Sequence, residues 1–349
     1  MFSNPTIKDV ARVAGVHFTT VSMALRGHPS IPPATRDRIV AAAGRIGYQR
    51  DSVFSALSNR RSRTETRNFA PGIAYVVNRS PENGYFRRSH YRMLVEGARK
   101  QAEALGYRFE MLVVDKGYHD SASLYEHLKK QGFTGLIIGA FEPGRAVIEL
   151  EWSEFSVVKI DSRHMHPPVT FISTDQLNGV RLVVKKMRAL GYSRIGLAVG
   201  IEDEEGTDDM HLSGFLLEQN ELPPSQTIPP LFFPRGAVAE DAIPLVRSWI
   251  KENGIDAVVC NWTNTRTMVT AAGFRCPEDV ACACLCLGRR NPALAGLVAN
   301  MDLVGQRGAA LLATLMRSER RGIPTSATTT YVQGNWYDGT SAPPRNQSS

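Results

Sequence analysis

The sequence predicts an all-α helical head followed by an α/β body built from two parallel-sheet lobes. Three observations carry this prediction. Residues 6–26 hold two short helical patterns joined by a glycine, positive charge gathers at the same end of the chain, and strand and helix patterns alternate from residue 73 onward.

In the head, Ile7, Val10, Ala11 and Ala14 fall at helical spacing behind Thr6, a residue type suited to capping a helix start. A first helix is expected over Ile7 to Ala14. Gly15 supplies a position tolerant of positive φ, and Val16, Val21 and Leu25 mark the buried side of a second helix starting near His17. Such a pair reads as a helix-turn-helix, whose second helix enters the major groove of duplex DNA with its first residues facing the base edges. Phe18, Thr19 and Met23 are the candidate base readers. Phe18 and Met23 lack strong hydrogen-bonding groups, which leaves contact with thymine methyls and the hydroxyl of Thr19. An inward-turned Phe18 is the alternative. Thr20, Ser22 and the first-turn amides suit phosphate contact, and Thr6, His17 and Arg26 complete the candidate DNA contacts. A third helix is expected from Pro33 to Ile46 with Ile39, Val40 and Ala43 inward.

Asp51 to Leu57 reads as a helix too short to stand alone, followed by a polar linker to Arg67. Residues 1–67 carry eleven basic against four acidic side chains, so they hold the whole net charge of +7, and the remainder is neutral. A field confined to one end favours phosphate binding that weakens with salt. The body alternates strands at Ile73–Val77, Arg108–Val114, Leu136–Ile138, Val157–Ile160, Ile195–Val199 and Ala257–Cys260 with helices between them, as in a parallel sheet covered on both faces. No segment is long and apolar enough to span a membrane. The opening Met-Phe-Ser-Asn-Pro lacks the regions of a signal peptide, so a cytoplasmic location is expected.

All five cysteines follow residue 259, an odd number that argues against a disulfide framework. Cys282, Cys284 and Cys286 would share one strand face with about 6.5 Å between neighbours. Packing of small residues is the default reading, with a metal or redox site involving Cys276 as the alternative. No cofactor or metal is assigned. Without a glycine-rich phosphate loop, His-Glu-x-x-His or Gly-x-Ser-x-Gly, nothing recruits catalysis.

Thr6-Ile-Lys-Asp-Val-Ala, Ala14-Gly-Val, Thr20-Val-Ser, Thr35-Arg, Gly47-Tyr48 and the segment ending in Leu57 resemble the N-terminal domain of the LacI/GalR family of bacterial transcription regulators. The resemblance implies a homodimer on a near-palindromic operator, with paired hinge helices in the minor groove and Leu57 wedged between base pairs. Phe54 departs from the alanine usual on that hinge. A periplasmic-binding-protein-like body is also implied, with the chain crossing between lobes near residues 174, 290 and 325. The expected divisions are a DNA-binding domain at 1–50, hinge and linker at 51–68, an effector-binding and dimerisation domain at 69–340, and a disordered tail at 341–349.

The same resemblance places effector-binding positions at Asp161, His211, Asn261, Trp262 and Cys286. His211 stands where family members carry arginine, Cys286 near an aspartate position, and Asn261-Trp262 in place of Asn-Asp. Losing arginine and aspartate removes the usual grip on vicinal hydroxyls. Trp262 could stack on a ligand or simply pack between lobes, and His211 could donate a hydrogen bond or lie at the surface. The ligand expected is a small molecule, a sugar or sugar derivative among the candidates. A regulator of the same fold without an effector and a ligand-binding protein that does not act on DNA are the alternatives.

Overall fold

The computed structural model describes residues 7–25, 30–46, 71–78, 89–114, 121–139, 141, 148–161 and 166–345. The chain divides into two compact units, Met1–Phe69 and Ala70–Ser349.

The first unit contains α1 (Ile7–Ala14), α2 (Phe18–Leu25) and α3 (Pro33–Arg45). Gly15 has φ +64, so the tight turn between α1 and α2 uses a conformation that costs glycine little. Val10, Ala14, Val21, Ala24, Ile39 and Ala42 meet in one buried cluster, and Pro33 opens α3 where its missing N–H costs nothing. Two expected positions differ. Val40 is 53% exposed, because the buried face of α3 runs through Ile39, Ala42 and Ala43, and Met23 is half-buried against the cluster.

The second unit holds two six-stranded sheets. The first has the order β11-β5-β4-β3-β1-β2, with β1 (Gly72–Val77), β2 (Arg108–Val113), β3 (Phe133–Ile138), β4 (Ser156–Ile160), β5 (Phe171–Thr174) and β11 (Thr329–Val332), all parallel. Alternation along the strands sorts its two faces. Ile73, Tyr75, Val77 and Val158 pack with residues of α4 (Ser89–Ala104) and α11 (Met301–Arg317), whereas Ala74, Val76 and Val157 pack with Leu124 and Leu128 of α5 (Ser121–Lys130). Where α4 and α11 cross, glycines permit backbone contact. A Cβ on Gly305 would lie 2.1 Å from the carbonyl oxygen of Leu94, and one on Gly97 would lie 2.1 Å from that of Asp302.

The second sheet has the order β12-β10-β9-β8-β6-β7. Its strands are β6 (Ile195–Gly200), β7 (Leu231–Phe233), β8 (Ala257–Cys260), β9 (Ala281–Leu287), β10 (Ala295–Val298) and the antiparallel β12 (Asn335–Tyr337). Residues of α6 (Gln176–Ala189) and α8 (Met210–Gln219) cover one face, and residues of α9 (Ala239–Asn253) and α10 (Thr265–Ala271) cover the other.

The chain leaves the first sheet after Thr174, returns after Val298 to enter α11, and leaves again between Val332 and Asn335. The passages expected near 290 and 325 therefore lie near 299 and 333. Residues 288–294 turn back into a further strand of the same sheet, and Thr329–Val332 follows the Pro324 segment. The crossing segments bond to one another, Asp175 N–H donating to the Val332 carbonyl at 3.1 Å and Asn300 Nδ2 to the Gln333 carbonyl at 2.9 Å.

Residues 341–345 are not the loose tail their composition suggests. Ser341 is fully buried; its hydroxyl donates to the Cys282 carbonyl at 2.7 Å and accepts from Ala295 N–H at 2.9 Å. Arg345 lies over the Tyr192 ring and pairs with Asp256 at 2.9 Å. Backbone groups at the start of β9 and β10 supply the partners that low hydrophobicity could not.

Candidate nucleic-acid interface and interlobe cleft

At the start of α2 the chain presents His17, Phe18 and Thr19 on the surface. Phe18 is 43% exposed, so the inward alternative does not hold. Its ring lies 4.4 Å from the His17 imidazole, centroid to centroid, and His17 Nδ1 is 2.8 Å from the Thr19 hydroxyl. The three side chains thus form a small fixed platform at a helix N-terminus, where backbone amides favour phosphate oxygens. An aromatic face beside a hydroxyl can meet a thymine methyl and one polar base edge. Thr20 is half-buried and stands beside this platform, while half-buried Met23 turns partly toward the core. Thr6, the side chain of Ser22, Arg26, and the hinge with Phe54 and Leu57 lie outside the described residues.

In the second unit, Asp161 follows β4 with φ +55 and accepts hydrogen bonds from the Ser173 hydroxyl at 2.7 Å and Gln176 Nε2 at 3.3 Å. Together with Phe171 these groups face Gly206, Thr207 and Met210 across the cleft, around a cavity of about 10 Å³, room for a single water. Strand carboxyl ends are where open α/β sheets bind ligands, which is why Asp161 could be singled out.

The remaining candidates gather around α7 (Ile201–Thr207), a helix that starts directly at the end of β6. Its Asp203 carboxylate accepts from Asn261 Nδ2 at 2.8 Å and Trp262 Nε1 at 3.2 Å, and the Trp262 ring lies 4.4 Å from that of Phe233. Glu204, buried, accepts from Leu212 N–H at 2.9 Å and holds His211 Nδ1 at 2.6 Å. His211 is accordingly buried, 8% exposed, and its Nδ1 is engaged within the protein. The Cys286 thiol donates to the Asn261 carbonyl. Asn261 Oδ1 is shut off from solvent and has no hydrogen-bond partner among the described residues.

Asp161 and the Asp203 group are linked through α7, where the Thr207 hydroxyl donates to the Asp203 carbonyl at 3.0 Å. The signal available for Asp203 and Glu204 was the acidic run Glu202-Asp-Glu-Glu205 immediately after a predicted strand. Four like charges in a row read as a solvated face until packing shows two of them turned inward. Neither group of residues assembles the arginine and carboxylate pair that grips vicinal hydroxyls. Among the described residues no cluster of three or more metal-ligating side chains occurs, and no helix is long and apolar enough to cross a membrane.

Residues 6–51 match the family described as bacterial regulatory proteins, lacI family. A Streptomyces limosus protein described as an uncharacterized HTH-type transcriptional regulator in the aml 5' region is 27% identical over 202 residues, covering 56% of this chain and 53% of that protein. The chain spans about half the length of the curated relatives it matches. Two solved structures share the fold: a complex of the transcriptional regulator CelR with cellobiose, with TM-score 0.59, 18% identity and coverage of 97% and 100%, and a lac repressor dimer bound to operator and the anti-inducer ONPF, with TM-score 0.56, 18% identity and coverage of 98% and 100%. A helix-turn-helix head with a body of two parallel sheets is the architecture of these DNA-binding regulators. Residues 6–51 carry the head of the lacI family of bacterial regulatory proteins, and the rest of the chain is similar in fold to these regulators.

Proposed function

We propose that this protein is a sequence-selective DNA-binding regulator of transcription, most simply a repressor, that acts in the cytoplasm as a homodimer on a near-palindromic operator. The observation that carries the reading is the exposed His17-Phe18-Thr19 platform at the start of α2, inside the segment that matches the family. The charge confined to residues 1–67 supplies the phosphate affinity. In this reading Leu57 wedges into the minor groove from a hinge that folds on the operator. Selection from a randomised duplex pool at moderate salt is expected to return one near-palindromic sequence. Binding to it should fall linearly on a logarithmic salt scale, and Phe18→Ala should cost about 1–2 kcal/mol of apolar contact on that sequence while leaving bulk DNA binding in place. Equal affinity for every duplex would overturn the reading.

The cleft is the proposed effector site, with Asp161 and Asn261 as its polar contacts. The buried Asn261 Oδ1 favours a small polar ligand carrying an O–H or N–H donor, such as a sugar or sugar derivative. A second reading, a regulator without a small-molecule effector, draws on the engagement of His211, Asn261 and Trp262 by α7. Thermal-shift screening across sugars, sugar acids and nucleobases separates the two. A ligand at a hundredfold its Kd should stabilise the protein by about 2.7 kcal/mol; no shift from any class leaves the second reading standing.

A further inference from the structure

We propose that Cys276 and Cys282 form a dithiol site at which a hydroperoxide produces an intramolecular disulfide. The proposal concerns the second lobe alone and does not depend on DNA binding or on an effector.

Cys276 lies in the turn between α10 and β9, and Cys282 is the second residue of β9. Their sulfurs are 3.4 Å apart. A disulfide requires about 2.05 Å, so an approach of about 1.4 Å closes the bond. Both backbones are tied down independently. Cys282 N–H donates to the Ser341 carbonyl at 3.0 Å, and the turn of Cys276 is closed by Asp279 N–H on the Arg275 carbonyl at 2.9 Å and by the Arg275–Asp279 ion pair.

The two thiols are unequal. A hydrogen bond from Cys282 and the nearby positive charge of Arg266 lower the Cys276 thiol below its usual range, whereas the same contact and complete burial push Cys282 up. Arg266 is held at this turn by a 3.4 Å hydrogen bond from its guanidinium to the Cys276 carbonyl. Cys276 also lies nearer solvent, beneath an exposed turn, at 9% exposure against 0% for Cys282. It is therefore the attacking sulfur. With hydrogen peroxide, the Cys276 thiolate forms an S–O bond as the O–O bond breaks, and the departing hydroxide takes a proton to become water. Cys282 sulfur then attacks Cys276 sulfur. The S–S bond forms, the S–O bond breaks, and the leaving hydroxide takes the Cys282 proton as a second water. Two thiols are oxidised and one peroxide is reduced.

The other cysteines do not make such a pair. Cys260 is fully buried and pushed up to about 12 by that burial, and Cys284 and Cys286 are 4.0 Å apart but only two positions apart on one strand.

The full reduced chain treated with a few equivalents of hydrogen peroxide should lose two hydrogens by intact mass, and digestion without reductant should yield a peptide pair joined at Cys276 and Cys282. Cys282→Ser, with its resolving sulfur removed, should accumulate a sulfenic acid at Cys276 that dimedone traps, at a thermal midpoint that shows the variant folded. A bond mapped to another pair overturns the proposal. So does an unchanged mass together with no dimedone adduct in Cys282→Ser.

Discussion

Gly305→Val will destabilise the second unit by about 3 kcal/mol, a fall of roughly 6–12 °C in thermal midpoint. The new Cβ would sit 2.1 Å from the Leu94 carbonyl oxygen and 2.8 Å from the Ala98 amide nitrogen, so both obstacles are backbone of α4 and neither can rotate aside. The helices must separate, and the cluster that joins them to β1 and β4 separates with them. The gain in helix propensity on removing a glycine, about 1 kcal/mol at most, is too small to compensate. Gly44→Ala in α3 serves as the contrast, since its added methyl meets nothing within 4 Å and should be neutral or mildly stabilising. Urea unfolding of the two variants reads the difference, and a Gly305→Val midpoint equal to wild type would show that α4 and α11 do not pack as described.

The second large effect is at Glu218. This side chain of α8 is fully buried and accepts from Arg181 Nε at 2.8 Å and Arg188 Nη1 at 3.4 Å, with Lys185 Nζ at 3.6 Å; Arg188 also donates to the Glu218 backbone carbonyl at 2.8 Å. Three cations on one face of α6 thus converge on one carboxylate. Removing one member of a buried pair costs about 3–5 kcal/mol. Here the cations keep 27–55% of their side-chain exposure and can turn partly to water, which places Glu218→Ala near the lower limit, at about 3 kcal/mol. Glu218→Gln keeps the shape and one acceptor and should lose about half as much. Chemical denaturation of both variants is the measurement, and a change below about 0.5 kcal/mol for Glu218→Ala would mean the network contributes nothing.

These two features show where the sequence is legible and where it is not. Strands such as Ile73–Val77 and Ala257–Cys260 could be read because apolar runs bounded by helical patterns admit few other structures. The head was legible for the same reason, since Val10, Ala14 and Val21 mark one face of each helix. Glu218 and Arg181 are 37 positions apart, and only the packing of α8 on α6 makes them partners. Short strands are not legible in this way: β7, β10 and β12 have three or four residues each, too few to show a period. Missing β10 is what displaced the expected crossing from 299 to 290. In the cleft, Asp161 was visible from its place after a strand, whereas Asp203 was hidden in an acidic run whose pattern resembles surface. Ser341 was hidden likewise, because buried polar residues are recognised by their backbone partners and composition does not record those.

The crossings between the sheets also set an order of assembly. The first sheet lacks β11 and the helix α11 on its face until residues 301–332 have been made, after every strand from β6 to β10 has already emerged. The second sheet in turn waits for β12 and for Ser341. During synthesis, therefore, neither sheet can finish alone, and a ribosome-bound chain stopped before residue 300 carries the apolar face of β1 and α4 without its cover. Such a chain keeps that apolar surface exposed to association until its translation is complete.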